Sequence, residues 1–329
     1  MKNLTKIMFM FMMMMSTIIV ISSNNWLSMW MGLEMNLLSF IPLMFNKKKK
    51  SENMMMYFMI QSMASIILLI SILWNNLLMV SNLLSQNLMN NIMIISLIMK
   101  MGGAPFHFWL PEVIMMLNWN SCFILMTWQK IAPIFMLSKL KMSSLLIIFI
   151  ISSAFIGAVG GLNQNSIKKI LAFSSINHLS WMMASIYMDS KIWIKYLLIY
   201  TMMLSLIIFM LNMYNLNYIS QTNITPTSTL FKINLTLMIM SLGGLPPLLG
   251  FIPKLMIIQS MIMKNNLIIL LMIMLSMITL FYYMKIMTNM IMNFYMTNKW
   301  MLKTMKQEKH QFMIMSMNLL LPFMSFLLM

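Results

Sequence analysis

Long apolar segments, separated by short polar ones, dominate the chain from end to end. Runs of about 18 or more mostly apolar residues recur, and each is long enough to cross roughly 30 Å of hydrocarbon as an α-helix. We therefore predict an all-α, polytopic transmembrane bundle that forms one membrane domain over residues 1–329. The eleven predicted spans cover residues 4–23, 26–45, 54–74, 91–116, 119–137, 143–163, 166–188, 192–213, 231–262, 266–287 and 311–329.

Two of these spans carry helix-breaking residues in their interiors. Glycine and proline interrupt helical hydrogen bonding, and inside a membrane the freed backbone groups are tolerated only beside protein or water. Two interrupted spans in separate parts of one chain point to a transporter built from inverted repeats. The predicted breaks lie near residues 102–105, with Gly102, Gly103 and Pro105, and near residues 243–247, with Gly243, Gly244, Pro246 and Pro247.

The polar segments between spans are predicted to be loops. Residues 46–52 (NKKKKSE) read as a solvated lysine loop near anionic lipid, with a partner-binding patch as the alternative. Residues 75–91 are rich in asparagine and leucine and carry no charge, which predicts a loop on the opposite face. Neither segment carries catalytic chemistry.

The composition agrees with a membrane protein and excludes several kinds of site. Hydrophobic residues make up 61% of the 329 residues and charged residues only 8%, far below the roughly 25% of soluble domains. The single cysteine, Cys122, provides neither a disulfide framework nor the ligands of an iron–sulfur cluster. Phosphate-binding glycine motifs and metal-ligand clusters are missing from the sequence. We therefore expect no redox, nucleotide, cofactor or metal site on this chain.

The basic residues orient the predicted spans. All 22 are lysines, and with few acids they give a net charge of +17. Fourteen fall in segments on the same side as the N terminus and five on the other side. Because lysine is enriched in loops on the negative side of a membrane, the N terminus is predicted to lie in the negative compartment and the C terminus on the opposite side. In a mitochondrion these are the matrix and the intermembrane space. Such loop charges do not predict a nucleic-acid partner.

Methionine is unusually frequent, with 53 residues, and accompanies many Ile, Leu, Asn, Lys and Phe residues. A/T-rich codons specify these residues, and a code that reads AUA as methionine, as in animal mitochondria, produces the same bias. The alternative is that methionine serves as adaptable packing material, but packing does not explain the absence of arginine. The bias therefore predicts an insect-like, A/T-rich mitochondrial genome.

Three ionisable residues of the first half are the main candidates inside predicted spans. A charge at the bilayer centre costs at least about 2.5 to 3.5 kcal/mol, so each needs a reason. Glu34, mid-way along the second span, is expected to be protonated, paired or beside a wet cavity. Lys100 directly precedes the first break and is expected to face a cavity there. Lys130 lies mid-span, with Pro133 just beyond it to free a backbone carbonyl.

The second half repeats this arrangement. Lys254 follows the second break, and His178 lies near the centre of the seventh span, where an imidazole can accept and release protons near neutral pH. For His178 the alternative is a histidine satisfied by an interhelical hydrogen bond. For Glu34 and the lysines it is a salt bridge that serves packing alone.

Two further residues are secondary candidates. His107 lies inside the first break, where it either caps freed carbonyls or lines the path. Glu112 follows Pro111 in the second half of the broken span and is predicted to be mainly structural, near the exit of that span. His310 is predicted to be solvated, and Asp189 and Glu308 flank spans.

Five motifs, in this order and spacing, resemble the antiporter-like chain 2 family of NADH:ubiquinone oxidoreductase, the respiratory complex I. The resemblance covers roughly residues 20–290, and the length and number of spans resemble the animal form. The motifs are residues 30–40 (WMGLEMNLLSF), 100–113 (KMGGAPFHFWLPEV), 127–133 (TWQKIAP), 157–178 (GAVGGLNQNSIKKILAFSSINH) and 241–254 (SLGGLPPLLGFIPK).

The resemblance implies a core subunit of the complex I membrane arm, related to cation/proton antiporters. Such a subunit translocates protons across the mitochondrial inner membrane, driven by NADH oxidation and ubiquinone reduction in other subunits. FMN, iron–sulfur clusters and ubiquinone are then expected in those subunits. The implied partners are neighbouring antiporter-like and small membrane subunits, accessory subunits, and lipids such as cardiolipin.

The resemblance also implies roles for the buried residues. Glu34 pairs with Lys100 and modulates it, Lys130 connects, His178 belongs to the central axis, and Lys254 serves the far half-channel. From the residues alone two other functions stay open. One is a free-standing cation/proton antiporter, and the other is a purely structural subunit whose buried charges set the register of the helices.

Overall fold

The computed structural model describes residues 3–45, 52–78, 83–141, 143–188, 191–224, 229–262 and 266–292. Within these ranges the chain is helical, and the only β-type pairing is an isolated bridge between Ser166 and Tyr218. The helices of the described ranges are α1 (Asn3–Ser22), α2 (Trp26–Met44), α3 (Glu52–Leu78), α4 (Leu83–Met101), α5 (Trp109–Met116), α6 (Trp119–Met126), α7 (Trp128–Lys139), α8 (Ser144–Val159), α9 (Ile167–Tyr187), α10 (Ile192–Met213), α11 (Gln221–Ile224), α12 (Thr229–Gly243), α13 (Phe251–Met261) and α14 (Asn266–Met292).

The helices confirm the predicted all-α transmembrane class. Each of the ten predicted spans that end before residue 293 contains at least one helix. In the described part of the chain, six helical segments are each long and apolar enough to cross a membrane. The number of about eleven spans stays a prediction, and the last span, 311–329, lies outside the described residues.

Contacts divide the chain into two compact units, Met1–Ser153 and Ala154–Met329. In the first unit, α2 packs between α1 and α3, and α4 contacts both α3 and α7. In the second unit, α9 contacts α10, α13 and α14, and α12 packs against α10 and α14. Helix α9 is the most deeply buried of this unit, since nearly every residue from Ile167 to Ile186 is buried.

Large apolar side chains cover the outer faces of several helices. On α1, Leu4 and Ile7 are 73% and 67% exposed, and on α14 Leu267 and Phe281 are 72% and 67% exposed. A water-soluble monomer rarely exposes so large an apolar surface, whereas hydrocarbon is a suitable solvent for it. These faces therefore fit contact with lipid or with other membrane subunits.

The two predicted helix breaks are present. The first separates α4 from α5 across residues 102–108, and the second separates α12 from α13 across residues 244–250. Each begins with a left-handed glycine, Gly102 at φ 73° and Gly244 at φ 80°, a conformation that side chains with a Cβ atom disfavour. Each break also contains a cis peptide bond before proline, Ala104–Pro105 in the first and Pro246–Pro247 in the second.

The loop predicted for residues 75–91 is wrong. Helix α3 continues to Leu78 and α4 begins at Leu83, so helix covers most of this stretch. Asparagine is only moderately unfavourable inside a helix and the intervening leucines favour it, so the polar residues extend both helices instead of ending them. Residues 46–51 of the predicted lysine loop lie outside the described residues, and its last residue, Glu52, begins α3.

Close helix packing in the second unit uses the glycines of residues 157–161. A Cβ atom on Gly157 would lie only 2.7 Å from the backbone nitrogen of Asn177 on α9. A Cβ atom on Gly161 would lie 2.7 Å from the ring of Tyr282 on α14. These glycines therefore allow α8 and its following turn to approach α9 and α14 at the level of His178.

Candidate functional site: two buried polar clusters

Lys100 occupies the last turn of α4, where the first break begins. The backbone turns out of the helix through hydrogen bonds from Gly102 N to Met99 O (3.3 Å) and from Gly103 N to Ile98 O (3.0 Å). The carbonyl ends of a helix favour a nearby cation. The Lys100 carbonyl, which has no helical partner after the break, accepts a hydrogen bond from Gln61 Nε2 of α3 at 3.0 Å.

Glu34 lies opposite Lys100. The distance from Lys100 Nζ to Glu34 Oε1 is 3.8 Å, and the side chains are 3% and 28% exposed, respectively. This separation counts as an ion pair but exceeds a hydrogen bond, so contact requires a shift of about 1 Å or a bridging water. It is the only ion pair within the described ranges of the chain.

A small cavity joins Lys100 to Lys130. Its volume is about 20 Å³, which suffices for roughly one water molecule. Besides the two lysines, its polar lining consists of Asn36, Tyr57, Gln61 and Gln129. Gln129 donates a hydrogen bond to Asn36 Oδ1 at 3.0 Å, which ties α7 to α2. We name Glu34, Asn36, Gln61, Lys100, Gln129 and Lys130 the Lys100 cluster.

Lys130 lies mid-way along the apolar helical segment Trp119–Lys139, as predicted, but next to an interruption that was not predicted. Helix α7 continues through Pro133, and the interruption lies before Lys130, at Thr127 between α6 and α7. The Thr127 hydroxyl donates to Phe123 O at 2.6 Å, and such back-bonding bends helices. The proline removes a helical donor without ending the helix, so Lys130 lies in the first turn of α7, buried against the cavity.

The two secondary candidates lie at the edge of the first unit's break. His107 Nδ1 is 3.1 Å from the Pro105 carbonyl oxygen, and its ring lies against Phe108, which fits the capping alternative. Glu112 is an exposed residue in the first turn of α5. An acidic side chain at this position is stabilised by the helix dipole. Asn53 Nδ2 donates a hydrogen bond to the backbone carbonyl of Glu112 at 3.2 Å.

Lys254 lies in the first turn of α13, directly after the second break. Its ammonium group donates to the freed Gly243 carbonyl at 2.7 Å and lies 5.9 Å from the ring centroid of Trp181, within reach of a cation–π contact. A Cβ atom on Gly244 would lie 2.9 Å from Lys254 Nζ. Within the described residues no carboxylate pairs with Lys254, so a carbonyl dipole and an aromatic face stabilise its charge.

His178 lies in the middle of α9 and is buried. Its Nδ1 atom is 2.7 Å from the Tyr196 hydroxyl, and its ring centroid is 4.7 Å from that of Tyr200. Trp181, one helical turn further along α9, carries the contact with Lys254. We name His178, Trp181, Tyr196, Tyr200 and Lys254 the His178 cluster.

The sequence reasoning missed the uncharged members of both clusters. Asn36, Gln61, Gln129, Tyr196 and Tyr200 lie within predicted spans, and polar side chains there need partners for the same reason that charges do. Inspection of every amide and hydroxyl in a span would have found them.

Asp189, Glu308 and His310 lie outside the described residues. The described residues contain no group of three or more His, Cys, Asp and Glu side chains that could hold a metal ion.

The chain is similar to known proteins over most of its length. The family model of the membrane domain described as NADH:quinone oxidoreductase/Mrp antiporter matches residues 23–281. The NADH-ubiquinone oxidoreductase chain 2 of Anopheles gambiae is 43% identical over 309 residues, covering 92% of this chain and 91% of that protein. The corresponding chain of Locusta migratoria is 44% identical over 324 residues, covering 93% and 91%.

A solved structure shares the fold at much lower identity. A chain of the respiratory complex I from Thermus thermophilus with bound aureothin superposes with a TM-score of 0.82 at 19% identity, covering 97% of this chain and 79% of that chain. The sequence matches and the shared fold lead to one conclusion. This chain belongs to the NADH-ubiquinone oxidoreductase chain 2 family, within the membrane family of NADH:quinone oxidoreductases and Mrp antiporters.

Proposed function

We propose that this chain translocates protons across the mitochondrial inner membrane as a core membrane-arm subunit of respiratory complex I. The observation that carries the proposal is the Lys100 cluster, in which an acid, two lysines and a cavity of about 20 Å³ occur together at a helix break. Membrane segments rarely hold ionisable groups that serve packing alone, because burial of each charge is costly. Family membership gives the proposal its biological setting.

The cluster provides a way to bind and release a proton. Two unit charges about 4 Å apart attract each other by about 4 kcal/mol at an effective dielectric constant of 20. The Glu34 carboxylate therefore holds the Lys100 ammonium, and protonation or movement of Glu34 frees that proton to leave. Lys130 lines the same cavity and can accept the proton through one water.

The His178 cluster contains the corresponding groups of the second unit. Lys254 holds a proton against the Gly243 carbonyl, and His178 exchanges protons with its hydroxyl partner. We propose that Glu34, Lys100, Lys130, His178 and Lys254 act in series. The N terminus lies in the matrix and the C terminus in the intermembrane space in this proposal, as the lysine bias predicts.

The energy comes from other subunits in this proposal. NADH oxidation and ubiquinone reduction take place there, with FMN and iron–sulfur clusters, and this chain carries no redox or nucleotide site of its own. The neighbouring antiporter-like and small membrane subunits, accessory subunits and cardiolipin are the proposed partners. Their contacts fit the exposed apolar faces of helices such as α1 and α14.

Replacement of Lys100 or Lys254 by alanine tests the proposal. Each variant is expected to assemble into the complex and to lower NADH-driven proton pumping and coupled turnover by about tenfold or more, as loss of an acid–base group does. Pumping is measured as acidification inside sealed vesicles that contain the complex. Full coupled activity in both variants would overturn the proposal.

The family also includes Mrp antiporters, which keeps a free-standing cation/proton antiporter as a second candidate. Purification separates the two functions. Recovery of the chain only within a large assembly that contains flavin and iron–sulfur clusters excludes the antiporter. Recovery as a stable protein that exchanges cations for protons without a redox partner supports it.

A further inference from the structure

The amide side chains of Asn36 and Gln129 join two helices of the first unit. Gln129 Nε2 donates a hydrogen bond to Asn36 Oδ1 at 3.0 Å, although the two residues are 93 positions apart in the sequence. Asn36 is only 3% exposed, and a buried amide is costly unless it has a polar partner. Asparagine and glutamine in membrane helices commonly find that partner on a neighbouring helix. The bond therefore holds α7 against α2 beside the cavity that both side chains line.

Each amide is close in sequence to a residue of the proposed series. Asn36 lies two positions after Glu34 on α2. Gln129 directly precedes Lys130 in the first turn of α7. This turn follows the interruption at Thr127 and has no side-chain cap, and helix ends without a cap fray readily because their first N–H groups lack helical partners. The Gln129 side chain therefore restrains the turn that carries Lys130.

The acid and the two lysines of the Lys100 cluster come from three different helices. The Glu34–Lys100 ion pair joins α2 to α4 at 3.8 Å. The cavity lies between α4 and α7, which bring Lys100 and Lys130 to it. The Asn36–Gln129 bond closes the third side, between α2 and α7. The position of Lys130 relative to the ion pair therefore depends on this amide bond.

The cavity tolerates little movement of its walls. Its volume is about 20 Å³, which holds roughly one water molecule. A shift of the first turn of α7 by about 1 Å would change the number of waters between the two lysines, and misplacement on that scale costs up to about a hundredfold in rate. A bond that fixes this wall therefore affects proton transfer as well as stability.

We propose that the Asn36–Gln129 hydrogen bond positions Lys130 at the cavity, so that one water separates it from Lys100. Both amides are positioning residues, which act through the location of Lys130 and carry no proton themselves. The inference rests on the proposed function, because it explains how one member of the proposed series is held in place.

The test exchanges the two amides in the assembled complex in sealed vesicles. Gln129→Asn keeps an amide but shortens its reach by one methylene group, so the bond to Asn36 opens. We expect NADH-driven proton pumping to fall about fivefold, the effect of losing one neutral hydrogen bond. The double variant Asn36→Gln/Gln129→Asn restores the combined length of the two side chains and is expected to recover most of the pumping. Two amides that act independently would give additive losses instead.

Asn53→Leu is the matched control. The Asn53 side chain also donates an interhelical hydrogen bond, to the Glu112 carbonyl at 3.2 Å, but it does not line the cavity. This variant is expected to pump normally. If Gln129→Asn does not assemble, Asn36→Leu opens the same bond from the α2 side and is expected to lower pumping as far.

The outcomes separate this inference from the proposed function. Normal pumping in the variant that opens the bond, or a double variant that pumps no better than Gln129→Asn, overturns the positioning role. If Lys130→Met lowers pumping in the same experiment, the proposed function still stands. Normal pumping in Lys130→Met overturns both.

Discussion

At the scale of residues, the three lysines of the proposed series have different surroundings. Lys100 faces a carboxylate at 3.8 Å, Lys130 lies beside a small polar cavity, and Lys254 binds a carbonyl and an aromatic face. A carboxylate can be neutralised by one proton, whereas a carbonyl dipole and an indole ring cannot. Lys100 is therefore the lysine whose charge responds most directly to a second titrating group.

Glu34→Gln removes that response and keeps the size of the side chain. The variant is expected to assemble and to lower coupled NADH:ubiquinone turnover by about tenfold, because the Lys100 ammonium loses its only ionic partner in the described part of the chain. Glu112→Gln serves as the control, since Glu112 is exposed and engages Asn53 through its backbone. Equal turnover in both variants would contradict a role for the Glu34 charge.

At the scale of elements, the helix breaks place the lysines. Gly102 and Gly244 open each break with a left-handed backbone, and the carbonyls freed there bind Gln61 in one unit and Lys254 in the other. Both breaks were predictable from the sequence because glycine and proline act locally. The interruption at Thr127 was not predictable from the sequence. It depends on a side-chain hydrogen bond that many threonines in helices make without ending the helix.

Gly244→Ala tests the second break. Alanine pays about 1–2 kcal/mol in a left-handed conformation, and its Cβ atom would collide with Lys254 Nζ. We expect the complex to melt at a lower temperature. We also expect proton pumping to fall more than the amount of assembled complex does.

Gly243→Ala is the matched control, because Gly243 lacks a positive φ and its added Cβ atom meets the end of the flexible Leu280 side chain. It is expected to have a milder effect on both measurements. Indistinguishable melting and pumping for the two variants would refute the placement of Lys254 by the second break.

At the scale of the whole molecule, the described part of each unit contains one helix break built from glycine and proline and its own buried polar cluster. The all-α membrane class, both breaks and the family were accessible from the sequence, because apolar run length and short motifs are local properties. The hydrogen-bond partners within the clusters were not accessible, since Gln61 and Tyr196 lie far in sequence from Lys100 and His178, which they contact. Long-range contacts between spans depend on packing, which no single segment encodes.

The central claim is that buried groups of this chain carry protons, and Lys130→Met tests it most directly. Methionine matches the length of lysine without a charge, and Lys139→Met, at the exposed end of the same helix, is the control. The measurement is the number of protons pumped per NADH oxidised by the complex in sealed vesicles. A lower ratio for Lys130→Met and a normal ratio for Lys139→Met are predicted, whereas a normal ratio for Lys130→Met at normal turnover would contradict the claim and favour a purely structural role.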